Sequence, residues 1–195
     1  MYSYKHSDNN LYTMNSNEIY DIKEDTQGRL LVATFEGGLN ISSGSIYGKD
    51  RIENIKFLNG NNSLKGYAVD MFNKVRRIEV LKNGVVLLST TQGLLTYLDK
   101  YTYPDRIRFY LSRHARGENS LYSSEVMQTK LAADGKLYVV TLGGGLQCAD
   151  AGNLLQDNLS FMPVENYYGN SMVQPNGYGT IQSMTVDNRG DLWVI

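Results

Sequence analysis

One element recurs four times along this chain, a turn glycine with an apolar run on each side. The anchors are Gly28, Gly84, Gly135 and Gly190, spaced 56, 51 and 55 residues apart. A period of this length marks a repeat architecture, which has to be recognised before any local structure is assigned. Nine residues before each glycine stands Ile19, Val75, Val126 or Ile181, and six before it Ile22, Ile78, Thr129 or Met184, which opens a first β-strand. The turn is reached through Asp25-Thr26-Gln27-Gly28, Lys82-Asn83-Gly84, Asp134-Gly135 or Asp187-Asn188-Arg189-Gly190. Glycine there takes positive φ and Asx side chains bond their own backbone, so a hairpin follows.

The second strand carries apolar residues on both faces. Positions two and four after the glycine are Leu30 and Val32, Val86 and Leu88, Leu137 and Val139, Leu192 and Val194, and the intervening position is Leu31, Leu87, Tyr138 or Trp193. A sheet with one wet face would alternate, so each sheet is expected to be covered on both sides. A second turn follows Thr34, Thr90 and Thr141 and leads to a third strand at Leu39, Leu95 or Leu146. A fourth is expected at Ile55 to Leu58, Ile107 to Leu111 and Leu159 to Val164. Four antiparallel strands per unit, with units covering one another, is the blade plan of a β-propeller.

The expected fold is therefore all-β, a propeller fragment of about three and a half four-stranded antiparallel blades over residues 1–195, with blade cores at 19–41, 75–97, 126–148 and 181–195. The fourth unit stops at Ile195, one residue short of the threonine that the other three would predict. The chain is thus expected to be an arc of a longer protein whose ends associate, swap strands or use a second copy for cover.

Bulk properties exclude little but are consistent. Nineteen basic residues balance twenty acidic ones, so the whole molecule has no electrostatic footprint for nucleic acid or anionic lipid. No run of 18 apolar residues occurs and Met1 to Asn10 is polar, so neither a membrane span nor a signal peptide is encoded in this segment. The single cysteine, Cys148, rules out an internal disulfide and reads as a buried strand thiol.

The residues also resemble a known family. Tyr4 to Leu11, then Asn17 to Asn40, is similar to the two-component regulator propeller repeat: a polar loop, an apolar strand ending in Glu-Asp, a glycine turn, Leu-Trp-Ile-Gly-Thr, then Gly-Gly-Leu. Further copies begin at Ser112 and at Asp187. The tryptophan survives only at Trp193, and the glycine before threonine is replaced by Ala33, Ser89 and Val140. The resemblance implies a periplasmic sensor region of a hybrid two-component histidine kinase, recognising an oligosaccharide and transducing the signal. It implies as partners that ligand, the remaining blades and a second copy in a homodimer. A propeller used purely as a non-catalytic protein-interaction scaffold is the alternative.

No catalytic constellation is present, and neither a cofactor nor a metal is expected. His6 and His114 fall at related places in their repeats and read as loop fasteners, lacking a ligand cluster at zinc spacing. Glu24 and Asp25 are adjacent and belong to a turn, unlike the separated pair that glycoside hydrolysis needs. Gly143-Gly144-Gly145-Leu146 opens no helix, and Arg189-Gly190-Asp191 is most simply the blade turn. Among the fifteen tyrosines, Tyr20 and Tyr138 sit in strands and read as packing. The loop joining strands two and three shares a propeller face with the loop entering strand one. That brings Phe35, Glu36, Gln92, Leu142, Tyr122 and Tyr178 to a common rim, the expected ligand site.

Overall fold

A computed structural model describes residues 3–47, 54–164, 181 and 183–195. Three four-stranded sheets and one two-stranded sheet follow in chain order. The first holds β1 (Ile19–Glu24), β2 (Leu30–Thr34), β3 (Gly38–Ser42) and β4 (Phe57–Asn59). The second holds β5 (Val75–Val80), β6 (Val85–Thr90), β7 (Gly93–Leu98) and β8 (Tyr110–Ser112). The third holds β9 (Val126–Leu131), β10 (Lys136–Thr141), β11 (Gly145–Asp150) and β12 (Met162–Pro163), and β13 (Met184–Val186) pairs with β14 (Leu192–Val194). Strands within a sheet are ordered as in sequence, an up-and-down meander. This is the all-β propeller plan: three four-stranded blades and the first hairpin of a fourth.

The four anchor glycines all have positive φ, from 75° at Gly28 to 89° at Gly190. An aspartate closes three of these turns. Asp25 Oδ1 accepts from the Gln27 and Arg29 amides at 2.9 Å each, Asp134 Oδ1 from Lys136, and Asp187 Oδ1 from Arg189 and Asp191. Its second oxygen receives the side chain three residues past the glycine where that residue is a donor. The Tyr138 hydroxyl reaches Asp134 at 2.9 Å and the Trp193 indole N–H reaches Asp187 at 3.1 Å. In blade 1 that position is Leu31, and Arg29 substitutes, its guanidinium meeting Asp25 at 2.7 Å.

The chain divides into two compact units. The first comprises Met1–Leu88 and Thr96–Phe109. Its core includes Leu31, Leu39 and Ile41 of blade 1, all fully buried, with Val32 packed on Met14 and Phe57 on the opposite face. Blade 1 is fastened to β5 by Asp21, whose Oδ2 accepts the Ile78 amide at 2.9 Å. Asp99 also links blades, accepting the Thr26 amide at 2.7 Å and hydroxyl at 2.6 Å. Arg29 donates to its main-chain carbonyl at 2.5 Å.

The second unit comprises Ser89–Leu95 and Tyr110–Ile195. Tyr138, Val140 and Cys148 pack with Ile181 and Met184, so the third blade covers the hairpin of the fourth. Gln128 brackets Met184, accepting its amide at 3.0 Å and donating to its carbonyl at 2.9 Å. Cys148 is the buried strand thiol expected, with burial pushing its pKa up to about 11.

The second strands of the three four-stranded blades are buried on both faces, completely so in β6, but β14 departs from the expectation, with Trp193 55% exposed and Leu192 and Val194 only partly buried. First strands differ: Ile19 and Ile22 of β1 are 44% and 51% exposed, whereas Val75 and Val126 are fully buried. Fourth strands are shorter than the apolar runs that announced them. Ile107 follows the single turn Pro104–Arg106, which leaves β8 to begin at Tyr110, and β12 spans only Met162–Pro163. Proline has no amide to extend the ladder.

Candidate functional site

In the first unit, the turn between β2 and β3 is where exposed aromatic surface and charge meet. The Thr34 hydroxyl donates to the Gly38 carbonyl at 2.9 Å, closing the turn from inside. The Phe35 amide donates to the Glu18 carbonyl at 2.9 Å and the Gly38 amide to Asn73 at 2.8 Å, so the loops entering β1 and β5 flank it. Phe35 stacks on Tyr20 with centroids 4.9 Å apart and planes at 21°. Lys74 Nζ lies 4.8 Å from the Phe35 centroid. Tyr20 remains 47% exposed, so the stack presents a flat aromatic surface to solvent. Glu36 stands beside it, exposed and at φ 71°.

That φ belongs to the left-handed region, where a residue with a Cβ is strained. The equivalent position in blade 3 is Gly143, also at φ 71°. Blade 1 thus carries a carboxylate where glycine is the unstrained solution, and such outliers concentrate at functional positions. A flat ring bordered by an ammonium and a carboxylate suits a ligand with an apolar ring face and hydroxyl groups.

Among the other rim residues, Gln92 and Tyr122 are exposed and belong to the second unit. Tyr122 adjoins the turn after β10: a Cβ on Gly144 would meet that of Tyr122 at 2.6 Å. Its amide donates to Gln147 Oε1 at 2.8 Å, and Leu142, 39% exposed, lies on the same turn. Tyr178 lies outside the described residues. Phe35 and Glu36 are thus placed with each other, and Tyr122 with the Leu142 turn.

Two members of the blade 1 constellation carry no functional mark in the sequence. Tyr20, whose strand position reads as packing, is an exposed stacking partner of Phe35. Its place in the strand, between Ile19 and Asp21, could not reveal what lies beyond that face. Lys74 is remote in sequence from Phe35, and no local pattern marks it. Tyr138 is buried packing as expected. Both histidines fasten loops: His6 Nδ1 pairs with the Met14 carbonyl at 2.7 Å and His114 Nδ1 with that of Leu121 at 2.8 Å. Among the described residues, no group of three or more His, Cys, Asp or Glu side chains is placed to hold a metal ion.

The geometry defines a propeller-blade protein with an aromatic platform on a strand-connecting turn. Residues 13–36, which include that platform, match the family model described as two component regulator propeller. Among solved structures, the chain is similar to the extracellular domain of a putative one component system from B. thetaiotaomicron. The TM-score is 0.59 at 19% identity, covering 91% of this chain and 22% of that one. The extracellular domain of a putative hybrid two component system from the same organism matches at TM-score 0.43 and 16% identity, covering 91% of this chain and 27% of that one. The chain therefore spans about a quarter of the length of each of these structures. No curated protein matches it.

Proposed function

We propose that this chain is part of the periplasmic sensor region of a hybrid two-component histidine kinase, and that its rim recognises an oligosaccharide. The observation that carries the reading is that the repeat matching the two-component regulator propeller contains the exposed platform of Tyr20, Phe35 and Glu36. Tyr20 offers a sugar ring an apolar face, and Glu36 and Lys74 offer its hydroxyls an acceptor and a donor. Signalling follows if the ligand binds two arrangements of a homodimeric sensor unequally, because only differential affinity shifts a population.

Isothermal titration of the full ectodomain against a panel of neutral glycan fragments tests this. Phe35→Ala is expected to weaken the responding glycan about tenfold, the scale of one lost aromatic contact. Unchanged affinity in Phe35→Ala, Tyr122→Ala and Tyr178→Ala would remove the rim assignment. An ectodomain that binds no glycan but captures a protein partner would favour the scaffold.

A further inference from the structure

A second concavity of the first unit lies away from the turn that carries Phe35, between the polar segment entering blade 1 and the outer strand β4. It encloses about 600 Å³. Tyr4, Lys5, Asn10 and Tyr12 line one wall and Asn54, Ile55 and Lys56 the other, with Met14 and Phe57 buried at its base. The walls are tied together: the Phe57 amide donates to the Tyr12 carbonyl at 2.8 Å, and Tyr4 meets Phe57 edge-on at 5.6 Å. Lys56 Nζ stands 5.0 Å from the Tyr12 centroid.

Its chemistry is one-sided. Among the described residues no carboxylate lines the groove, and neither Lys5 nor Lys56 forms an ion pair. Among the described residues, the Tyr12 hydroxyl and the side-chain amides of Asn10 and Asn54 are donors that meet no protein acceptor. A concave wall with two unpaired ammonium groups raises the local concentration of anions. The tyrosine faces beside it favour a ring over a compact inorganic ion.

The second unit supplies an internal comparison. There the segment His114–Tyr122 lies against Phe161 and Pro163 and encloses about 580 Å³. The construction is the same, with the Phe161 amide donating to the Asn119 carbonyl at 2.8 Å and His114 taking the place of His6. Its strand wall has no lysine, and Arg116 and Glu118, of opposite charge, both line it. The repeat therefore builds such grooves without needing paired lysines, and a lining with two cations and no carboxylate among the described residues belongs to blade 1.

We propose that the groove between residues 4–14 and β4 binds an acidic sugar residue, a uronate or a sulfated ring, with Lys5 and Lys56 meeting its anionic group. The assignment of a sugar ring rests on the saccharide reading above; the charge selection rests on this groove alone.

The test is titration of the full chain with tetragalacturonate, with a chondroitin sulfate tetrasaccharide, and with neutral cellotetraose. At least one acidic probe is expected to bind more tightly than the neutral one and to weaken as salt is raised. The carboxylate and sulfate arms decide which anion is preferred. Lys5→Gln/Lys56→Gln is expected to lower acidic-probe affinity about tenfold, two partly solvated charge contacts being lost. Lys100→Gln, exposed and outside the groove lining, should change nothing. Near-ultraviolet circular dichroism checks that the double variant keeps its fold, and Tyr12→Ala provides a charge-neutral second variant expected to weaken the same probe. Acidic-probe affinity unchanged in the double variant, cellotetraose affinity that falls in the double variant as much as acidic-probe affinity does, or no binding of either acidic probe overturns the proposal. Phe35→Ala separates the two readings: lost neutral-glycan binding with silent groove variants retains the rim and discards the groove, and the reverse pattern does the opposite.

Discussion

At Glu36 the backbone conformation and the binding role proposed for the carboxylate pull in opposite directions. Its left-handed backbone costs about 1 kcal/mol relative to glycine, and blade 3 avoids the cost with Gly143. Glu36→Gly is expected to raise the melting temperature while weakening the rim ligand; a variant that melts earlier would show that the carboxylate stabilises the turn. His6 makes a pH-dependent contribution. Its imidazole pKa is raised above the ordinary 6.5, first by the bond to the Met14 carbonyl and then by the Asp8 carboxylate at 2.9 Å. Because the folded value lies above the unfolded one, this contribution is complete below pH 6.5 and is lost as pH rises through the folded value. Proton NMR should place the His6 midpoint above 6.5, and Asp8→Asn should lower it without abolishing the upward shift. A wild-type midpoint at or below the ordinary value would refute the fastening.

At the scale of strands, a side chain seven residues before one turn glycine holds the next blade's main chain six residues before its own. Asp21 does this to Ile78 and Gln128 to Met184. Asp21 uses its other oxygen on the Ile22 amide at 2.9 Å, so both acceptors are occupied. Removing the side chain leaves the partly buried Ile78 amide without its acceptor. Asp21→Ala is therefore expected to cost about 1–3 kcal/mol in chemical denaturation and Asp21→Asn distinctly less, since an amide oxygen can replace one carboxylate oxygen. Equal losses would mean that charge, with Lys23 Nζ at 3.6 Å, matters more than the blade contact. The turn aspartates follow a related rule: Tyr138 and Trp193 are aromatic donors to them, which gives the repeat's tryptophan position a polar role beside its packing role.

For the molecule as a whole, a formal charge of −1 supplies little repulsion between copies. Several large apolar side chains are open to solvent, Ile19 and Ile22 in the first unit and Trp193 and Ile195 in the second. Self-association of the isolated chain is the expected consequence. Sedimentation equilibrium should find species above the monomer, reduced by Ile22→Lys or Trp193→Lys. A single monomeric species at high concentration would contradict it.

The order and kind of strands were legible because repetition and apolar periodicity are local properties. Leu31, Leu87 and Tyr138 between apolar neighbours announced strands covered on both faces, and aspartate and asparagine before glycine announced the turns. Those patterns follow from the two-residue period of a strand and the conformational freedom of glycine, so the sequence by itself determined them. Tertiary structure decided what covers each face: Ile22 and Thr129 hold the same place in their repeats, yet one is half exposed and the other buried. It also brought Lys74 to Phe35 and Lys56 to Tyr12, pairings between residues distant in the chain. Periodicity sets the direction of a side chain, but its neighbours depend on how separate strands and loops meet, which no short window of sequence contains.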